Sequence, residues 1–519
     1  MIPEFVTKEE AISIIKDLDT VVTSGFVECS NPEGLEVALE ERYLKTGSPK
    51  NLTLFYVAGQ GAGDERCVSR FGYEGLLKKI VAGHFNKAPK LGELIVNNKV
   101  EAYNMPQGVL CQMLRNVAAN KPGVISKVGL KTFVDPRIEG GKLNEITKED
   151  IVRLMEIDGE EYLYFKGMKF DIALIKGSYA DERGNISMEN EYISTEVLSI
   201  AQAVHNCGGK VIVQVDKIVK SGSLDPKLVK IPGICVDYVV EIQEPEYKAQ
   251  VYDLPYEAAL AGNANLSEKS SFVPMILDEK KIIARRGTME ITQGSIGNLG
   301  IGTPEYVSSI TTEEGINDYM VLTVESGPVG GIPQSGKRFG SAINADAIID
   351  QPYQFDFYDG GGLDICFLGL AQVDQFGNLN VSKFGTRISG CGGFVDISQN
   401  SKKVIFCGTF TAKGLKVKVE NGKLNILEEG KTKKFVSHVQ QITFSGDLAR
   451  ENNKPVFYIT ERAVFELRKE GLTLIEIAPG VDLQRDILEQ MDFQPLISSN
   501  LKEMDFRIFL DQPMGLRKN

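Results

Sequence analysis

The chain has 519 residues, 42% of them hydrophobic and 25% charged, with 58 Lys+Arg against 70 Asp+Glu for a formal charge of -12. At roughly 100–200 residues per domain this is enough for several domains, and the composition excludes a disordered or collagen-like chain. So acidic a chain lacks the basic face that non-specific nucleic-acid binding requires.

No apolar run approaches the ~20 residues of a membrane helix, and the acidic, amphipathic start MIPEFVTKEEAISIIKDLDT lacks the basic and apolar regions of a secretory signal. Eight cysteines stand apart without a CxxC pair, the pattern of reduced thiols in a cytosolic protein rather than a disulfide framework or zinc knuckle. Three histidines, His84, His205 and His438, are few for a metal enzyme or a Ser-His hydrolase.

In chain order, Thr20–Phe26 reads as a strand, and Asn31-Pro32-Glu33 opens a helix with Leu35, Val37, Ala38 and Leu39 at helical spacing. Proline and an acid suit a helix start, whose N–H groups lack partners and whose dipole end is positive. Ile172–Ile175 predicts a buried strand, Thr195–Asn206 a helix stopped by Gly208-Gly209, and Val211–Val215 the next strand. Strand, helix and strand at this spacing predict parallel α/β layers. Ser295–Ile301 and Met320–Val324 are further strands, and Asp278 caps a helix bearing Ile282 and Ile283. Leu415–Ile426 alternates about Asn421-Gly422, a hairpin with a type I′ turn.

The two halves echo each other. Asp181-Glu182-Arg183-Gly184-Asn185 precedes Asp374-Gln375-Phe376-Gly377-Asn378 by 193 positions, and Lys210-Val211-Ile212 precedes Lys403-Val404-Ile405 by the same 193. Pro32 and Pro304 differ by 272 instead. The chain therefore reads as two homologous α/β domains, 1–243 and 280–519, joined by a linker over 244–279. The first carries an insertion of roughly 80 residues around 70–160.

Ligands gather at the carboxyl ends of strands in such sheets. Glu325 stands at the end of Met320–Val324, before Ser326-Gly327-Pro328-Val329-Gly330-Gly331, whereas the matching Leu52–Val57 runs into Ala58-Gly59-Gln60-Gly61 with no acid. Glu33 and Glu305 recur in both halves and read as structural helix-start acids. Glu325 breaks the repeat, and departures from internal symmetry are where function is added. Ser389-Gly390-Cys391-Gly392-Gly393-Phe394 lets backbone N–H groups converge on an anion. Gly300-Ile301-Gly302-Thr303 is a phosphate-type turn before a helix, and Asn104-Met105-Pro106-Gln107-Gly108 places an amide on a tight turn. Cys391 lacks a base and reads as a small filler.

These motifs, with Glu101-Ala102-Tyr103-Asn104, Thr132-Phe133-Val134-Asp135-Pro136-Arg137 and Tyr358-Asp359-Gly360-Gly361-Gly362, resemble family I coenzyme A transferases, in the propionate/acetate branch that fuses both halves in one chain. The resemblance runs from about residue 5 to about 495. It implies two Rossmann-like open α/β domains of the CoA-transferase type in tandem, with Glu325 as a nucleophile forming a glutamyl-CoA thioester by ping-pong exchange. It also implies that the Gln107 amide and Gly393 N–H stabilise the oxyanion, and that Gly300, Ile301, Gly302, Thr303, Gly390, Gly392 and Phe394 line the CoA channel. Acyl-CoA and short-chain carboxylates are the implied partners, with no metal, no membrane and a cytoplasmic homotetramer. An acyl-CoA hydrolase on this fold, or a non-catalytic acyl-CoA or nucleotide sensor, is the alternative.

Overall fold

The computed structural model describes residues 2–266 and 274–517, so 267–273 of the expected linker lie outside the described residues. Contacts group the chain into two units. The first joins Met1–Leu266 with Val324–Asp356 and Phe384–Asp396; the second joins Ser267–Thr323 with Phe357–Lys383 and Ile397–Asn519.

The first unit is built on strands β1 (Glu4–Phe5), β2 (Thr20–Thr23), β3 (Leu52–Tyr56), β4 (Leu77–Ala82), β5 (Glu101–Asn104), β6 (Ile172–Asp181), β7 (Lys210–Val219) and β8 (Tyr238–Glu241). They lie in the order β1-β8-β7-β6-β2-β3-β4-β5, and every pairing on that path is parallel. Burial on both faces explains the continuous apolar runs of β6 and β7, where Ile172–Ile175 and Val211–Val213 are buried. Helices α1 (Glu33–Thr46), α2 (Gln107–Ala118) and α3 (Val197–Asn206) belong to this unit. Helix α3 starts two residues later than the sequence predicts because Thr195 holds a left-handed φ of 48°. Strands β4 and β5 form the edge of this sheet, and Gly123–Ser126, Glu160–Lys166 and Val152–Ile157 make a separate antiparallel sheet.

Residues 244–266, expected as linker, pack instead onto the first unit. Val251 and Leu260 join a buried cluster with Phe26, Tyr192 and Phe339, and Arg66 lies 4.7 Å from the Tyr252 ring centroid. The segment lacks periodicity yet carries apolar anchors, and the anchors decide its place.

The second unit has β9 (Ser295–Leu299), β10 (Met320–Thr323), β11 (Ile365–Gly369), β12 (Lys403–Cys407), β13 (Val456–Ile459), β14 (Ala463–Arg468), β15 (Gly471–Ile477) and β16 (Leu496–Glu503). Their order is β10-β9-β11-β12-β13-β14-β15-β16, parallel as far as β13. Asp278 caps α4 (Glu279–Thr288), accepting the N–H groups of Lys280 and Lys281 at 3.0 Å. The hairpin of Lys416–Glu420 and Lys423–Glu428 turns at Asn421 and Gly422, with φ of 51° and 74° as a type I′ turn requires.

Candidate active site

Strand β10 is clamped at its last residue. The Thr323 hydroxyl donates to the Gly297 carbonyl at 3.0 Å, the Asn298 amide donates to the Thr323 carbonyl at 3.2 Å, and the Tyr358 hydroxyl donates to Thr323 Oγ1 at 2.8 Å. Beyond it the backbone reverses: Gly327 N–H donates to the Val324 carbonyl at 3.0 Å, and Val324 N–H to the Pro328 carbonyl at 2.9 Å. Glu325, half-buried, occupies this turn. Gly327 is required there, since at φ 134° a Cβ would sit 2.0 Å from the Ile349 carbonyl oxygen. Ser326 is buried and donates to the Gly340 carbonyl at 2.5 Å. The turn is thus rigid on both sides of the carboxylate.

The same unit builds an amide and a glycine loop into one another. Pro106 precedes α2 and Gln107 is its first residue, so the expected tight turn is a strand end followed by a helix start. Gln107 is 3% exposed and its N–H donates to the Gly392 carbonyl at 3.0 Å. Its side-chain Nε2 has no hydrogen-bond partner among the described residues. A buried donor left unpaired costs about 1–3 kcal/mol, so this amide is stabilised only when an acceptor arrives. The facing loop is held by Gly392 N–H to the Gly83 carbonyl at 2.7 Å and by Cys391 N–H to Asn104 Oδ1 at 2.9 Å. Asn104 in turn donates to the carbonyls of Ala82 and Gly83 at 3.0 and 2.6 Å. Phe394 N–H closes the loop onto the Cys391 carbonyl at 3.0 Å. A Cβ at Gly392 would lie 3.5 Å from Gln107 Oε1.

Two nearby groups differ in how well the sequence places them. Cys391 is buried, and burial, with the Asp396 charge adding to it, pushes its thiol well up; it is an inert filler, as expected. His84 has no assignable partner in the sequence, yet the structure bridges it to Gly390 and puts its ring Cδ2 3.9 Å from where a Cβ on Gly392 would sit. Burial, helped by Lys87 and Arg387, pulls its imidazole down to about 4, leaving it neutral.

Glu325, Gln107 and Gly390–Phe394 therefore share the first unit, while Gly300–Thr303 belongs to the second. There Gly300 N–H donates to the Phe367 carbonyl at 2.8 Å, and Gly302, at φ 90°, donates to Glu305 Oε1 at 3.0 Å. Glu305 is the helix-start acid the sequence predicts. Glu33 is also structural, but its carboxylate turns away from its own helix to accept Cys67 N–H at 2.8 Å and the Arg70 guanidinium at 2.7 Å.

A strand-end carboxylate on a rigid turn, with an unpaired buried amide beside a glycine loop, is the equipment of acyl transfer through a developing oxyanion. Residues 5–242 match the family model described as Coenzyme A transferase. The chain is 47% identical to the acetate CoA-transferase YdiF of Escherichia coli K12 over 511 residues, 98% of this chain and 95% of that protein. It is equally 47% identical to the caffeate CoA-transferase of Acetobacterium woodii, covering 99% of this chain and 98% of that one. The crystal structure of the YdiF apoenzyme from Escherichia coli O157:H7 matches with a TM-score of 0.94 at 46% identity, over 99% of this chain and 98% of that one. The same enzyme as a thioester complex with CoA matches with a TM-score of 0.94. The chain belongs to the coenzyme A transferase family and is an enzyme of that type, with coenzyme A thioesters as substrates. No helix among the described residues is long and apolar enough to cross a membrane.

Proposed function

We propose that the protein moves CoA between short-chain acyl-CoA, acetyl-CoA and propionyl-CoA among them, and short-chain carboxylic acids, through a glutamyl-CoA thioester on Glu325. The carboxylate of Glu325 attacks the thioester carbonyl and CoA thiolate leaves, giving an acyl-glutamyl anhydride. The thiolate then attacks the glutamyl carbonyl, and the first acid departs as its carboxylate. A second carboxylate reverses both steps and leaves as the new acyl-CoA. Every bond broken is replaced by one of similar energy, so the exchange runs without ATP, and it is ping-pong.

Each addition places negative charge on a carbonyl oxygen. The Gln107 amide and the Gly393 N–H receive it, and the unpaired Nε2 of Gln107 is the observation that carries this reading. Gly300, Ile301, Gly302 and Thr303, with Gly390, Gly392 and Phe394, line the path of CoA. The YdiF thioester complex supports the covalent step, since that relative is 46% identical over nearly the whole chain. The protein assembles as a cytoplasmic homotetramer.

Mixing the protein with acetyl-CoA alone, then digesting it, tests the mechanism: the peptide bearing Glu325 should gain the mass of CoA less water while free acetate appears. Acetyl-CoA turnover with that peptide unmodified overturns it. Equal identity to a caffeate CoA-transferase supports a second substrate reading, an aromatic acid. A panel of acetate, propionate, butyrate, lactate, acrylate and caffeate as acceptors separates the two.

A further inference from the structure

A buried polar knot lies under the segment that joins the Glu325 turn to the Gln107 helix. Pro328–Val329 pairs with Ala347–Ile348, and Ile349 N–H donates to the Gly327 carbonyl at 3.1 Å. Two residues on, Gln351 begins α5 (Gln351–Asp359) and donates its side-chain Nε2 to Glu196 Oε2 at 3.2 Å and to Cys111 Sγ at 3.7 Å. Cys111 is on α2, one turn past Gln107. One amide therefore ties the nucleophile's turn to the helix that presents the oxyanion donor.

The knot is incomplete if Glu196 carries a charge. Glu196 is 1% exposed and Gln351 0% exposed, and neither Glu196 Oε1 nor Gln351 Oε1 has a hydrogen-bond partner among the described residues. Both are acceptors, so no rotation of either group pairs them. A proton on Glu196 does: an acid and a primary amide close a ring of two hydrogen bonds, N–H to carboxyl oxygen and O–H to amide oxygen. Thr195 beside it is held at a left-handed φ of 48°, an outlier for a β-branched residue that the surroundings must enforce.

We propose that Glu196 is a positioning residue kept as the neutral acid, and that its paired hydrogen bonds with Gln351 hold the Glu325 turn and the Gln107 helix in register. The surroundings agree. Cys111 faces Glu196 from α2, and Asp396, in the helix Phe394–Asn400 after the glycine loop, bears on Cys111. Arg115 is turned to Asp356, and Asp350 is taken by Lys230 at 2.9 Å. None of these cations forms an ion pair with Glu196, and burial pushes its carboxyl up to about 8.

The consequence rests on Glu325 and Gln107 being the reacting groups, but its first test does not. Infrared difference spectra of the wild type minus Glu196→Gln at neutral pH should show a protonated-carboxyl stretch belonging to Glu196; an ionised-carboxylate band in its place overturns the proposal. In the transfer assay, Glu196→Ala should lower kcat about tenfold with KM for acyl-CoA little changed, as expected of small misplacements. Glu196→Gln, which preserves one donor and one acceptor, should restore most of that loss. The wild-type rate should fall as pH rises through about 8, and the Gln variant should lack that limb. If Glu196→Gln is as impaired as Glu196→Ala, or retains the alkaline limb, Glu196 does not act through this pair. A circular-dichroism check on each variant separates misfolding from mispositioning. Failure of the Glu325 mechanism would leave the infrared band in place.

Discussion

Strands β3 and β10 hold the same place in their sheets, each parallel to the first long strand of its repeat, yet they end differently. Beyond β3, Gln60 is 1% exposed and folds back: Thr23 Oγ1 donates to its Oε1 at 2.6 Å and its Nε2 donates to the Thr23 carbonyl at 3.1 Å. Beyond β10 the clamping amide sits on the neighbouring strand instead, where Asn298 donates to the Thr323 carbonyl at 3.2 Å. Moving the clamp to the other strand leaves the end of β10 free to present a carboxylate, while the end of β3 is used up in holding the sheet. The two strand ends therefore differ in which strand carries the clamping amide.

The comparison breaks first at Glu325. Glu325→Ala should lower the transfer rate by at least ~10³-fold, as loss of a nucleophile does, with circular dichroism showing the variant folded. Gln60→Glu in that background should not restore activity. Its charge would be buried against the Thr23 carbonyl and would destabilise the fold. Restored transfer in the double variant would show that the two strand ends are interchangeable.

Gln107→Ala comes next, with an expected loss of ~10²–10³ in kcat and little change in KM for acyl-CoA. A loss shared between kcat and KM would mean that the amide binds substrate in its ground state as well. Gly392→Ala should cost less. At φ 52° an alanine is strained but sterically admissible, its Cβ 3.5 Å from Gln107 Oε1. A strain of about 1–2 kcal/mol that shifts the loop would lower kcat about tenfold.

The place of Glu325 just beyond a strand was legible in the sequence because its signal is local: an apolar strand run, an acid, then glycines, set against a repeat that lacks the acid. The Gly390–Gly393 loop was legible for the same reason. What braces them was not. Asn104 holds Cys391 across 287 positions, and no spacing rule links residues so distant. Residues 244–266 were misread as linker because their anchors, Tyr252 and Leu260, follow no period. Glu196 resembles any acid at a helix start, and its burial against Gln351 comes only from tertiary packing.

The 193-residue repeat reaches down to individual hydrogen bonds, and this gives the smallest predicted effect on activity. Asp181 Oδ1 accepts the N–H groups of Arg183 and Asn185 at 2.8 and 3.0 Å, and Asn185 donates from Nδ2 to Oδ2 at 3.0 Å and accepts Gly233 N–H at 2.9 Å. Asp374 Oδ1 accepts Phe376 and Asn378 N–H at 3.0 Å each, and Asn378 donates to Oδ2 at 3.1 Å and accepts Gly446 N–H at 2.9 Å. Both turns place a glycine at positive φ, 79° at Gly184 and 77° at Gly377. Each aspartate is buried and accepts backbone donors, two at Asp181 and three at Asp374, where Val439 N–H adds a weak bond at 3.4 Å, so replacing it by alanine should cost about 2–3 kcal/mol in either unit. Urea unfolding of Asp181→Ala and Asp374→Ala should show similar losses, with the rate per folded molecule unchanged in both. If the Asp374 variant alone lost activity at full folding, its turn would serve the reaction as well as the fold, and the two repeats would differ in more than the strand end that carries Glu325.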